Sequence, residues 1–136
     1  MVDQLKLLVD TNVWLELLLN QDKHDEVQAF LNRSSPSDLA LTDFSLYSIG
    51  IILTKFKKMD LLKRFLADLL QEGGVNIVRI PAGRFPDIPQ LILRYGLDFD
   101  DAYQYLAAEI HGLRLVSYDS DFDRTDNKKT TPGKAV

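Results

Sequence analysis

The stretch Leu7-Leu8-Val9-Asp10-Thr11-Asn12-Val13-Trp14-Leu15 decides how the rest of the chain is read. An apolar run stops at a carboxylate, and beyond it the apolar residues Trp14, Leu15, Leu18 and Leu19 recur at helical spacing. This is a buried strand handing over to a helix. In an open α/β sheet, ligands collect in the crevice outside the strand ends, so an acid at that junction faces the crevice. Asn12 is the expected N-cap of the helix. Taken alone, Asp10 and Asn12 need do no more than make a turn and cap a helix, so the reading depends on where the other acids fall.

The remaining elements follow from periodicity and breakers. Residues 5–9 read as a strand, 12–19 and 24–31 as helices, and Arg33-Ser34-Ser35-Pro36-Ser37 as a break. Residues 39–42 form a short strand. Leu46, Ile49, Ile52, Leu53 and Phe56 mark a helix over 45–56 with one buried face, and 61–70 repeat the pattern until Gly73-Gly74 stops it. Residues 75–80 return as a strand closed by Pro81. Leu91, Ile92 and Tyr95 mark a helix ending at Gly96, residues 101–111 another ending at Gly112, and residues 113–117 the last strand. Strands alternating with helices predict a three-layer α/β/α fold with a mostly parallel central sheet. Residues 1–136 read as a single domain, with the polar tail, about 125–136, loosely held.

Composition narrows the chemistry. The 136 residues are 46% hydrophobic, enough for one core that buries roughly two-thirds of the unfolded surface. With no cysteine, disulfides, thiolate nucleophiles and cysteine zinc sites are excluded. His24 and His111 have no partner at ligand spacing, so catalysis rests on carboxylates. No apolar run approaches the roughly 20 residues of a membrane span, and Asp10 and Glu16 interrupt the N-terminal one, so a cytoplasmic protein with no membrane partner is expected. A net charge of −4 argues against holding nucleic acid by bulk electrostatics.

Three acidic groups fall at equivalent junctions. Asp10 follows the first strand, Asp119 follows the last, and Asp98, Asp100 and Asp101 open the helix before it. Parallel strands end on one side of the sheet, so Asp10 and Asp119 can share a crevice, and a helix N-terminus can bring Asp101 beside them. Carboxylates so placed raise one another's pKa, and an oxygen-rich site stable at neutral pH calls for a hard divalent ion such as magnesium or manganese. Helix capping by Asp98 to Asp101 and a polar loop at residues 119–123 remain open as the plainer account.

Leu8-Val9-Asp10-Thr11-Asn12-Val13, Leu97-Asp98-Phe99-Asp100-Asp101-Ala102 and Leu115-Val116-Ser117-Tyr118-Asp119-Ser120-Asp121-Phe122 resemble, in order, the opening, central and closing motifs of the PIN-domain ribonucleases, the family of the VapC toxins. The resemblance implies a PIN-like fold and a Mg- or Mn-dependent endoribonuclease cutting RNA. It also implies a small antitoxin protein as partner and a homodimer. It assigns Asp10, Asp101 and Asp119 as the catalytic, metal-binding acids, Asp121 as a further ligand, and Asn12, Ser48 and Ser117 as polar groups on the substrate side.

Ser48 is itself a departure. The family carries a Glu there, in a pattern resembling Ser/Thr-x-x-x-x-x-Glu-Leu that here reads Thr42-Asp43-Phe44-Ser45-Leu46-Tyr47-Ser48-Ile49. Asp43 lies five residues earlier, about 140° around a helix, so it replaces the missing acid only from a loop. The alternative is therefore a PIN-fold module that binds RNA or a protein without cutting. Lys55, Lys57, Lys58, Lys63 and Arg64 read as a solvated face or a phosphate-contacting rim, as do Arg124, Lys128, Lys129 and Lys134 in the tail. Trp14, Tyr103 and Tyr105 read as core residues that could instead stack on bases. Asp10-Thr11-Asn12 lacks the second Asp of a haloacid-dehalogenase phosphatase, and a receiver domain's acidic pair and closing Lys are absent.

Overall fold

Four strands, β1 (Leu7–Val9), β2 (Leu39–Thr42), β3 (Asn76–Val78) and β4 (Arg114–Val116), form one parallel sheet in the order β3-β2-β1-β4. The computed structural model describes residues 6–71 and 74–135. The expected start of the first strand at Leu5, and Gly73, lie outside the described residues. Leu8 pairs with Ala40 on one side and Leu115 on the other, which fixes the register of the central strand.

Alternation along these strands divides the apolar residues into two cores. Leu8, Ala40, Val78 and Leu115 face α5 (Ile88–Tyr95) and α6 (Phe99–His111), whose Tyr95, Ala102, Leu106 and Ala107 cover them. Leu7, Val9, Leu39, Leu41 and Val116 face the opposite layer, α1 (Thr11–Leu18), α2 (His24–Arg33), α3 (Asp43–Lys55) and α4 (Met59–Leu69). There Val13, Trp14, Val27, Phe30, Ile49, Leu53 and Phe65 close the second core, and Trp14 meets Phe65 edge-on at 5.7 Å. Fully burying side chains of this size stabilises by ~1.5–3 kcal/mol each. The three-layer α/β/α reading and the parallel sheet therefore hold.

Two local expectations change. Asp10, rather than Asn12, is the N-cap of α1: its Oδ1 accepts from the Thr11 amide at 2.8 Å, and the helix begins one residue earlier than the apolar spacing suggested. Either short polar side chain can cap, and strand geometry decides, because Asp10 is the residue with extended backbone, φ −72° and ψ 157°. Thr42 likewise caps α3, its Oγ1 accepting from the Ser45 amide at 2.9 Å, so that helix starts at Asp43. Gly96 and Gly112, both at φ 66°, end α5 and α6 in the left-handed conformation that glycine adopts without steric cost.

The stretch after Thr125, read from its polarity as loosely held, lies along the sheet. Thr130 bridges Val116 in parallel, donating its amide to Leu115 and accepting from Ser117. The Arg33 guanidinium holds the Pro132 and Ala135 carbonyls, and Ala135 joins the second core. Its polar composition hid this, because the anchoring is made by backbone groups. Ending the chain after Asn127 should therefore cost about 2–4 kcal/mol, from two backbone hydrogen bonds at ~1 kcal/mol each and the lost burial of residues 132 and 135. Urea unfolding checks this, and an unchanged midpoint would show that the tail contributes nothing.

Candidate metal centre

Continuing the register past the strand ends puts Thr42, Asp10 and Ser117 in one row across β2, β1 and β4. Each follows a residue of the second core, Leu41, Val9 or Val116, so alternation turns all three toward α6. Asp10 is 4% exposed there, a carboxylate at the floor of the crevice.

Burial of a charge demands donors, and Asp10 has four. Its Oδ1 accepts from the Thr11 amide at 2.8 Å and from Gln104 Nε2 at 2.8 Å. Its Oδ2 accepts from Ser117 Oγ at 2.8 Å and from Asn12 Nδ2 at 3.2 Å. Gln104, buried on α6, also donates to Ser45 Oγ at 2.6 Å, and its Oε1 accepts from Thr42 Oγ1 at 2.7 Å. Ser45 and Thr11 hydroxyls meet at 2.7 Å. One amide thus ties the ends of β1 and β2 and the starts of α1 and α3 to α6. Burial still pushes the Asp10 carboxyl up from its ordinary range, against the lowering effect of the Gln104, Ser117 and Thr11 bonds and with help from the charge on Asp119.

The second half of the site is a carboxylate cluster. Asp101, Asp119 and Asp121 offer oxygens that all lie within 4.8 Å of one another. Asp119 caps the 3-10 turn Ser120–Arg124, its Oδ1 accepting from the Asp121 amide at 2.8 Å, while its own amide donates to Ser117 Oγ at 2.9 Å. Ser117 therefore couples Asp10 to the Asp119 loop. Asp121 lies 3.4 Å from Arg124 Nη2, whose guanidinium also holds the Gly96 carbonyl. Asp101, in the first turn of α6, is 8% exposed, and its carboxyl is pushed up to about 8, first by burial and then by the charges of Asp119, Asp100 and Asp10.

An all-carboxylate set of this kind fits a hard divalent cation. Asp101 is buried, and burial together with the charges of its neighbours favours its protonated form. A cation would replace that proton and relieve the repulsion. Asp98 caps α6 by position, with no side-chain bond to the helix, and forms with Asp100 and Asp101 a second, more exposed acidic group.

The structure brings some expected residues to this place and not others. Asn12 and Ser117 are there, but their polar atoms brace the site: Asn12 Oδ1 accepts from the Tyr118 amide at 3.1 Å, and both side chains donate to Asp10. Ser48 is half-buried on α3, three residues beyond Ser45, hence about 4.5 Å along the axis and 60° around it. Asp43 does not replace the missing acid, since its Oδ1 is engaged by the Tyr103 hydroxyl at 2.7 Å and the Phe44 amide at 2.8 Å. Lys55, Lys57 and Lys58 are exposed at the far end of α3, about 15 Å along the helix from Ser45, so they do not rim the acids. In the tail, Lys129 pairs with Asp123 at 3.5 Å. Trp14, Tyr103 and Tyr105 are buried, as core residues should be. Sequence reasoning passed over Thr11, Thr42, Ser45 and Gln104. Only Gln104 carried a signal, an amide on the otherwise apolar buried face Ala102 to Ala108, one turn after Asp101.

Residues 7–128 match the model of the PIN domain family. No curated protein sequence matches the chain. Among solved structures, a chain of a toxin–antitoxin complex from Klebsiella pneumoniae is similar at 22% identity, with 93% of this chain and 98% of that one covered and a TM-score of 0.75. FitAcB from Neisseria gonorrhoeae is similar at 22% identity, covering 95% and 99%, with a TM-score of 0.73. VapC20 of Mycobacterium tuberculosis, a sarcin–ricin-loop-cleaving toxin, is similar at 17% identity, covering 93% and 100%, with a TM-score of 0.78. At these identities the likeness shows the fold. Among the described residues, no helix is long and apolar enough to cross a membrane.

The Asp101 shift has a pH signature. Its folded pKa, about 8, lies above its ordinary 3.8, so the protonated form favours the fold. That stabilisation is complete below the ordinary value and is lost as pH rises through about 8. The metal-free unfolding midpoint should accordingly fall between about pH 4 and pH 8, and Asp101→Asn should flatten the fall. Manganese should raise the midpoint most at the alkaline end, because the cation displaces the proton. A pH profile identical in wild type and Asp101→Asn would contradict this account.

Proposed function

The chain belongs to the PIN domain family, and we propose that it is a metal-dependent endoribonuclease, active in the cytoplasm as the toxin of a toxin–antitoxin pair. The observation that carries the reading is the meeting of Asp101, Asp119 and Asp121 within 4.8 Å, beside a buried Asp10 at the carboxyl edge of a parallel sheet. Asp101, Asp119 and Asp121 would hold magnesium or manganese, with Asp10 beside them as the anchored acid. When bound, the ion supplies Lewis-acid activation of water and neutralises charge on the phosphate. The chain's own groups do the positioning. Ser117 and Asn12 fix the Asp119 loop against Asp10, Gln104 holds Asp10 against β2, and Arg124 steadies Asp121.

A small antitoxin as partner is supported by an apolar groove of about 370 Å³ between α1, α2 and α4, lined by Trp14, Leu17, Leu18, Leu31, Leu61 and Phe65, with Arg64 and Asp68 as charged members. An amphipathic segment of a small antitoxin would bury its apolar face there. A second reading, a PIN-fold module that binds without cutting, is favoured by Ser48 and by the saturation of both Asp10 oxygens with donors.

Cleavage of single-stranded RNA with and without manganese separates the two. The nuclease reading expects metal-dependent cleavage that falls at least about 100-fold in Asp119→Asn, the scale seen when one group stabilising a transition-state charge is removed. RNA binding without cleavage at millimolar manganese would support the module instead. Free manganese at about 100 times its dissociation constant should stabilise the fold by roughly 2.7 kcal/mol, an effect Asp119→Asn should abolish. Ser48→Glu should tighten manganese binding and raise cleavage while lowering metal-free stability, because it adds a carboxylate on a face near the cluster. Unchanged metal affinity together with unchanged metal-free stability would place Ser48 outside the site.

A further inference from the structure

Phe99 and Tyr103 stand two residues either side of Asp101 on α6, and their rings belong to an aromatic group at the start of that helix. Phe44 packs between them, with ring centroids 6.4 Å from Phe99 and 5.4 Å from Tyr103, and Phe85 meets Tyr103 edge-on at 6.1 Å. Tyr103 is fixed from both sides, its hydroxyl donating to Asp43 and accepting from the Ile80 amide at 3.3 Å. The group is thus anchored to the ends of β2 and β3, as the acids are to β1 and β4. Yet its outer members are uncovered: Phe99 is 51% and Phe85 44% exposed.

The charges around this shelf select what can rest on it. Asp98 and Asp100 flank Phe99, Arg84 is paired with Asp87 at 2.7 Å, and Arg79 lies near the Tyr103 hydroxyl. A phosphate is repelled by the same acids. An unpaired nucleobase is uncharged, planar and able to stack on an exposed ring, so it is the part of a single strand that this rim admits. The lysines of the 55–58 run lie at the opposite end of α3 and do not reach this shelf.

We propose that Phe99 and Phe85 form a stacking site for an unpaired base of single-stranded RNA, next to the phosphate presented to Asp101 and Asp119. The inference rests on the ribonuclease reading. It makes RNA affinity depend on rings more than on counterion release, so binding should weaken little as salt rises.

The test uses the wild-type chain in EDTA and a single-stranded oligoribonucleotide containing 2-aminopurine, whose fluorescence is quenched on stacking. Quenching is expected, with affinity reduced about 5- to 100-fold in Phe99→Ala and in Phe85→Ala and retained in Phe99→Tyr. With manganese, Phe99→Ala should raise KM and leave kcat nearly unchanged. Wild type that cleaves RNA while quenching and KM are indifferent to both alanine variants would overturn the shelf and leave the nuclease reading standing. Wild type that neither binds nor cleaves removes the premise and the shelf with it. A dimer that Phe99→Ala turns into a monomer would assign the rings to a contact between copies and overturn the proposal.

Discussion

The structure is organised around the burial of one carboxylate. Asp10 sits at the end of the central strand with nearly all of its surface removed from water, and an unpaired charge there would cost several kcal/mol. The requirement for donors reaches into most neighbouring elements: the first amide of α1, Asn12 one residue on, Ser117 beyond β4, and Gln104 from α6. Gln104 in turn needs an acceptor for its remaining hydrogen and a donor for its oxygen, which Ser45 and Thr42 provide. The polar row across the sheet edge is thus an extension of the sheet's own register, and the crevice keeps its shape because each member is satisfied by another.

That arrangement explains which parts of the fold were legible. The strands announced themselves because apolar runs such as Leu39-Ala40-Leu41 end at polar residues, and parallel order followed from the helices between them. Asn12 was misassigned as the cap because Asp10 and Asn12 have the same capping chemistry, and backbone geometry alone separates them. The tail misled for a different reason: Thr130 pairs through its backbone, and no side-chain pattern records that. Asp10, Asp101 and Asp119 were visible as acids at element junctions, whereas Thr11, Thr42 and Ser45 look like ordinary helix-start residues. Gln104 was the one informative oversight. An amide on a face otherwise made of Ala102, Leu106 and Ala107 must have partners inside, and only the acid end of the sheet offers them.

The charge in this site is unevenly placed. Asp10 is held by neutral donors, and the three carboxylates that come together lie at the start of α6 and in the Asp119 loop, beside Arg124. The charge to be compensated therefore lies with Asp101, Asp119 and Asp121, while Asp10 serves as the fixed reference to which Ser117 ties that loop.

The central claim is the place where a divalent ion settles, and anomalous diffraction from crystals grown with manganese measures it directly. The account predicts one manganese peak among the carboxylates of Asp101, Asp119 and Asp121, ligand oxygens at about 2.1 Å, and Gln104 still bonded to Asp10. No peak at millimolar manganese, or a peak away from these three acids, would contradict it.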